Sequence, residues 1–181
     1  MYNNSVLVRG FSFCSPERTQ RKLRARTLRG AFFMDMIYGS VCSGIEAATV
    51  AWHPLGWKPS WFSEIEPFPC AVLKHHYPDV PNLGDMTRIH DHERFKRSAI
   101  DLLVGGTPCQ AFSVSGYRKG LEDKRGALSI TFCQIAELSK TRWVVWENVP
   151  GVLSSKDNAF GCFLAGLSGA DDALRPPPMA R

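Results

Sequence analysis

From residue 36 onward, short apolar runs alternate with stretches of helical period. Ile37–Val41 reads as a buried strand running into Cys42-Ser43-Gly44, and residues 45–52 read as a short helix stopped by Pro54. Residues 59–63 form a second strand pattern ending at Glu64-Ile65-Glu66. Pro67 suits the first turn of a helix that runs to Tyr77 and stops at Pro78. Residues 100–104 predict a third strand, closed by Gly105-Gly106, while 107–124 show no period and read as a long loop. Leu128, Phe132, Ile135 and Leu138 recur at helical spacing, which predicts an amphipathic helix over 126–140. Residues 143–146 predict a fourth strand, ending at Glu147, and a last helix is expected around 158–167.

This alternation predicts βαβ units: an α/β fold with a parallel sheet and flanking helices. Ligands of such sheets bind outside the carboxyl ends of the strands. Cys42-Ser43-Gly44, Glu64, Gly106-Thr107-Pro108-Cys109 and Glu147 are therefore expected on one rim.

Composition changes the picture at the ends of the chain. The 181 residues include 44% hydrophobic and 22% charged side chains, ordinary for a globular protein, and no apolar run approaches the ~20 residues of a membrane span. The net charge of +5 belongs wholly to residues 1–35, where seven basic residues face Glu17 and Asp35. It is therefore no nucleic-acid footprint of the folded part. Residues 1–35 read as a disordered basic leader ahead of Met34 and Met36. A transit peptide and a phosphate-touching arm are the alternatives. Residues 36–168 read as one domain, and residues 169–181, with Pro176-Pro177-Pro178, as a disordered tail.

Six cysteines lie far apart without a CxxC pair, which excludes a secreted disulfide scaffold. The five histidines form no zinc-binding pattern, so no metal is assigned. Glu64, closing the second strand after the Gly44 turn, stands where an acid accepts hydrogen bonds from ribose hydroxyls in nucleotide-binding α/β folds. Asp85 is a further polar candidate or an ordinary turn aspartate. Cys109 follows Pro108 at a strand end, in reach of a substrate, whereas Cys42, Cys70, Cys133 and Cys162 read as inert. Glu147 should share the rim of Cys109 as a partly buried carboxyl able to donate a proton.

Together these segments closely resemble DNA (cytosine-5) methyltransferases, including those of phages, prophages and restriction-modification systems. Gly106-Thr107-Pro108-Cys109-Gln110-Ala111-Phe112-Ser113-Val114-Ser115-Gly116 is similar to the family's nucleophile motif, and Trp146-Glu147-Asn148-Val149-Pro150-Gly151 to its Glu-Asn-Val motif. Ser40-Val41-Cys42-Ser43-Gly44-Ile45-Glu46 resembles the cofactor loop. Ser63-Glu64-Ile65-Glu66 and Gly84-Asp85-Met86-Thr87 resemble the next two cofactor motifs, and Glu122-Asp123-Lys124-Arg125-Gly126 the end of the catalytic loop.

The resemblance implies a partial Rossmann-like methyltransferase fold dependent on S-adenosyl-L-methionine. Cys42, Ser43, Gly44, Ile45, Glu64, Ile65, Asp85, Met86 and Pro108 would bind that cofactor. Cys109 and Glu147 would be catalytic, and Gln110, Ser113, Ser115, Arg125 and Asn148 would contact double-stranded DNA. It implies a cytoplasmic protein of a bacterium or phage host, without membrane or metal. Two departures lie in the cofactor loop: Glu46 and Ala47 stand where glycines are usual, and Cys42 stands where an aromatic is usual. The third is the end at Arg181, since family members continue with a target-recognition domain and a returning cofactor segment. The chain is therefore expected to be a truncated enzyme. The alternative is an inactive remnant, or one half of a split enzyme completed by a second chain.

Overall fold

The structure, a computed structural model, describes the backbone of residues 5–9, 25–28 and 31–34, and residues 35–108 and 127–175. Four strands form the parallel part of the sheet: β4 (Ile37–Val41), β5 (Lys58–Ser63), β6 (Leu102–Gly105) and β7 (Trp143–Glu147). Three further strands precede them, β1 (Ser5–Arg9), β2 (Ala25–Leu28) and β3 (Ala31–Met34). The sheet order is β5–β4–β6–β7–β1, with β2 and β3 paired separately. Helices α1 (Ala47–Trp52), α2 (Pro67–His76), α3 (Glu93–Arg97), α4 (Ala127–Ser139) and α5 (Ala159–Ser168) lie between and after the strands.

Strand side chains alternate between two apolar layers, as the twofold period of a strand requires. Val41, Leu103, Val144 and Trp146 face a large core shared with Ile89, Phe95, Phe132, Ile135, Ala159 and Phe163. Tyr38, Leu102, Val104 and Val145 face a smaller one with Ala48, Trp52 and Trp57. Both faces are thus covered, the condition under which parallel sheets occur. All four expected strands and the expected helices are present within a few residues of their sequence boundaries.

The ends of the chain depart from expectation. Part of the leader adds a fifth strand: β1 runs antiparallel to β7, from Ser5 opposite Glu147 to Arg9 opposite Trp143. An open β7 edge would leave a row of backbone groups unpaired, and β1 satisfies them. Residues 170–175 of the tail fold back on α5, where the Leu174 amide donates to the Gly161 carbonyl (3.1 Å) and Asn158 Nδ2 donates to the Leu174 carbonyl (3.0 Å). Gly161 permits this approach, since a Cβ there would stand 2.1 Å from the Leu174 oxygen.

Candidate active site

The parallel register aligns the strand ends. Val41 pairs with Ser63 on one side and with Gly105 on the other, and Gly105 pairs with Trp146. The next residues along each strand path, Glu64, Cys42, Gly106 and Glu147, therefore leave the sheet side by side. The chain grows from β4 to β5 on one side and then crosses to β6 on the other. The crevice between β4 and β6 is the switch point where ligands of such sheets bind.

The loop after β4 is shaped by three left-handed residues, Cys42 (φ 49°), Gly44 (φ 55°) and Glu46 (φ 66°). Such a backbone costs of order 1 kcal/mol or more at a non-glycine residue, and Glu46 offsets it through its side chain. Its carboxylate is 1% exposed. It accepts from Ser40 Oγ (2.5 Å), from the Thr49 amide (3.2 Å) as the cap of α1, and from Thr49 Oγ1, which also pairs with Tyr38 Oη (2.6 Å). Burial pushes the Glu46 pKa above the usual carboxylate value, against these hydrogen bonds, which lower it. Sequence reading noted Glu46 only as a departure. Its spacing of three residues from Thr49, at a helix start, is the signal that could have identified the cap.

Glu64 is held by backbone donors: Gly44 N–H to Oε2 (2.8 Å), and Ile65 N–H (2.7 Å) and Glu66 N–H (2.9 Å) to Oε1. Beside it, Cys42 Sγ touches Met86 Sδ at 3.5 Å. Burial, then the charges of Glu64 and Asp85, push the Cys42 thiol up to about 11. Cys42, Glu64, Asp85 and Met86 thus meet at one place, with exposed Ile45 and Ile65 beside them in the chain. Asp85 Oδ1 accepts from Thr87 N and Thr87 Oγ1, both at 2.8 Å, so it also caps the turn that follows. Ser43 Oγ donates to the Ser40 carbonyl (3.0 Å) and stabilises the loop from within.

At the other side of the crevice, β6 and β7 are tied through Thr107. Trp146 Nε1 donates to Thr107 Oγ1 (2.9 Å), which also pairs with Ser129 Oγ (2.7 Å) at the start of α4. Asn148, expected to contact DNA, donates from Nδ2 to the Thr107 carbonyl (2.8 Å). Gly106 allows the Glu147 carboxylate close in, since a Cβ there would stand 2.8 Å from Oε2. Glu147 is exposed at the strand end rather than partly buried, because it lies past the last layer of the core. Pro108 is exposed on the same rim. Cys109, Gln110, Ser113, Ser115 and Arg125 lie outside the described residues. Among the described residues, no group of three or more His, Cys, Asp or Glu is placed to hold a metal ion, and no helix is long and apolar enough to cross a membrane.

Comparison with known proteins agrees with this arrangement. A protein of Escherichia phage P1 named DNA N-6-adenine-methyltransferase is 55% identical over 152 residues, covering 78% of this chain and 20% of that protein. The orphan methyltransferase M.Rho11sI of Bacillus phage rho11s is 39% identical over 121 residues, covering 64% of this chain and 23% of that one. The chain thus spans about a fifth of the length of these two relatives. A solved prophage-encoded DNA modification methyltransferase of E. coli superposes with a TM-score of 0.60 at 21% identity, over 75% of this chain and 38% of its own. That likeness establishes the Rossmann-like methyltransferase fold. Residues 36–170 match the family of C-5 cytosine-specific DNA methylases, three quarters of the chain, and the protein belongs to that family.

Proposed function

We propose that residues 36–170 form the cofactor and nucleophile face of an enzyme that transfers a methyl group from S-adenosyl-L-methionine to C5 of cytosine in DNA. The observation that carries this reading is the single row of strand ends, which sets Glu64 and Cys42 beside Glu147 and Gly106, the last of these three residues before Cys109.

The residues present fit the cofactor. Glu64 is an anchored acceptor suited to ribose hydroxyls, and exposed Ile65 and half-buried Cys42 offer apolar surface to a purine, whereas the Met86 side chain is buried behind Cys42. Gly44 leaves open space where a side chain would otherwise stand. When bound, S-adenosyl-L-methionine supplies an electrophilic methyl group. Cytosine C5 is too weak a nucleophile to accept it unaided. The flipped base, which must leave the duplex to reach the pocket, would be attacked at C6 by the Cys109 thiolate, forming a C–S bond and making C5 enamine-like. Glu147 would hydrogen-bond near N3 and stabilise the charge developing on the ring. After C5 is methylated, loss of its proton to solvent and cleavage of the C–S bond release Cys109. Gln110, Ser113, Ser115 and Arg125 would contact DNA phosphate and the vacated base position. Asn148 would act through Thr107. The setting would be the cytoplasm of a bacterium or phage host, with a second polypeptide supplying recognition where needed.

The name of the phage P1 relative raises a second reading, methylation of adenine N6. An exocyclic amine carries its own nucleophilic nitrogen and needs no enzyme thiolate, so that reading leaves Cys109 and Glu147 without a task. Incubation with cofactor and 5-fluorocytosine DNA, with and without the complementary part of a phage relative, separates the two. A covalent adduct at Cys109, lost in Cys109→Ser and slowed in Glu147→Gln, is expected. Methylated adenine with no adduct would establish the second reading.

A further inference from the structure

We propose that Asn82 is the positioning residue of the cofactor face, its side-chain amide setting the separation between Glu64 and the Asp85-Met86 turn. This rests on the reading of Glu64 and Asp85 as cofactor contacts.

Before Gly84 the chain runs beside the free edge of β5 as a short parallel arm. The Phe62 amide donates to the Pro81 carbonyl (2.9 Å) and the Leu83 amide to the Phe62 carbonyl (2.8 Å). The next rung would fall at Glu64, but the backbone turns away at Gly84 (φ 72°). The Asn82 amide takes the place of the missing peptide group. Its Oδ1 accepts from the Glu64 amide (3.0 Å) and the Gly84 amide (3.1 Å), and its Nδ2 donates to the Glu64 carbonyl (3.0 Å) and touches Cys70 Sγ (3.2 Å). Cys70 Sγ donates to the same carbonyl at 3.2 Å. Ser63 Oγ grips Gly84 from the other side, donating to its carbonyl at 2.6 Å. One side chain thus fixes both backbone groups of Glu64 and the residue immediately before Asp85.

The pattern needs an acceptor and a donor at short reach. Aspartate lacks the donor, and glutamine is one methylene too long. Asn82 is exposed, so these bonds matter less to the global fold than to the position of the two loops, which Asn82 joins together with Ser63.

The test is calorimetric binding of S-adenosylhomocysteine, and of its 2′-deoxyribose analogue, to the whole chain and to Asn82→Ala, Asn82→Asp and Glu64→Ala. Asn82→Ala should weaken binding about tenfold with Tm nearly unchanged, and Asn82→Asp should not restore it. The preference for the ribose ligand over the deoxy analogue should shrink in Asn82→Ala, because Glu64 is no longer held. General loosening of the fold would weaken both ligands alike. Affinity within twofold of the parent in Asn82→Ala, or an unchanged ribose preference, overturns the proposal. If the parent chain fails to bind even with the complementary part of a phage relative supplied, or Glu64→Ala binds as the parent does, the reading of the cofactor face fails and this proposal with it.

Discussion

Replacing Glu46 by alanine removes three hydrogen bonds from a carboxylate that is almost wholly enclosed. Loss of the α1 cap costs about 1 kcal/mol. Ser40 Oγ and Thr49 Oγ1 lose their buried acceptor at about 1 kcal/mol or more each, though Thr49 keeps Tyr38. The sum is about 3–4 kcal/mol, which for a domain of this size lowers Tm by roughly 10 °C. Glu46→Gln preserves shape and most of the bonding, and its effect depends on pH. Burial raises the folded-state pKa above the unfolded value of 4.5. The neutral carboxyl is thus the form the fold favours. Its contribution is fully present below the unfolded pKa and is lost as pH rises through the folded one. Thermal unfolding of parent, Glu46→Ala and Glu46→Gln, followed by circular dichroism from pH 4 to pH 8, reads both effects. The difference between Glu46→Gln and parent should move in favour of Gln as pH rises, since every other titration is common to the two. A pH-independent difference, or a Glu46→Ala loss below about 0.5 kcal/mol, within the range of ordinary surface substitutions, would refute the reasoning.

Thr107→Val should destabilise by about 2–4 kcal/mol by leaving Trp146 Nε1 and Ser129 Oγ without their shared partner; Thr107→Ser should recover most of it in chemical denaturation. With thiols pushed up to about 11 at Cys42 and about 12 at Cys133, both should resist iodoacetamide at pH 8 in the folded protein. Peptide mass spectrometry should show them modified only after unfolding, and prompt labelling in the native state of either Cys42 or Cys133, which is buried in the large core, would contradict this reasoning.

The parallel core was legible because β4, β6 and β7 are short, apolar and bounded by glycine or acid, so pattern and length coincide. The row of strand ends was legible for the same reason, since a parallel sheet forces its carboxyl ends together. Asn82 was hidden, because a polar residue between Pro81 and Leu83 reads as loop, and its side chain imitates backbone in a way that no period records. The Asn148 bond to the Thr107 carbonyl was hidden for a related reason: its partner lies on another strand, and no local spacing records it. Glu46 stood out only as a departure from glycine in the loop, and it is the left-handed turn that brings its carboxylate inward. The strand β1 escaped notice because an arginine-rich segment reads as solvated, while the demand for it lies at a distant sheet edge.

The register that joins Ser63, Val41, Gly105 and Trp146 also determines where the gene can tolerate length changes. One residue added or lost inside β4, β6 or β7 shifts everything after it by about 3.3 Å and swaps the two sheet faces for the strand that follows. Tyr38 or Trp146 would exchange cores, and Glu147 or Cys42 would leave the row. The stretch between Tyr77 and Pro81 ends no parallel strand of the row, so an extra residue there can be absorbed before the chain reaches Asn82. A library of single-codon insertions should therefore be silent in such connections and intolerant in the strands, a map of the chemistry drawn by spacing alone.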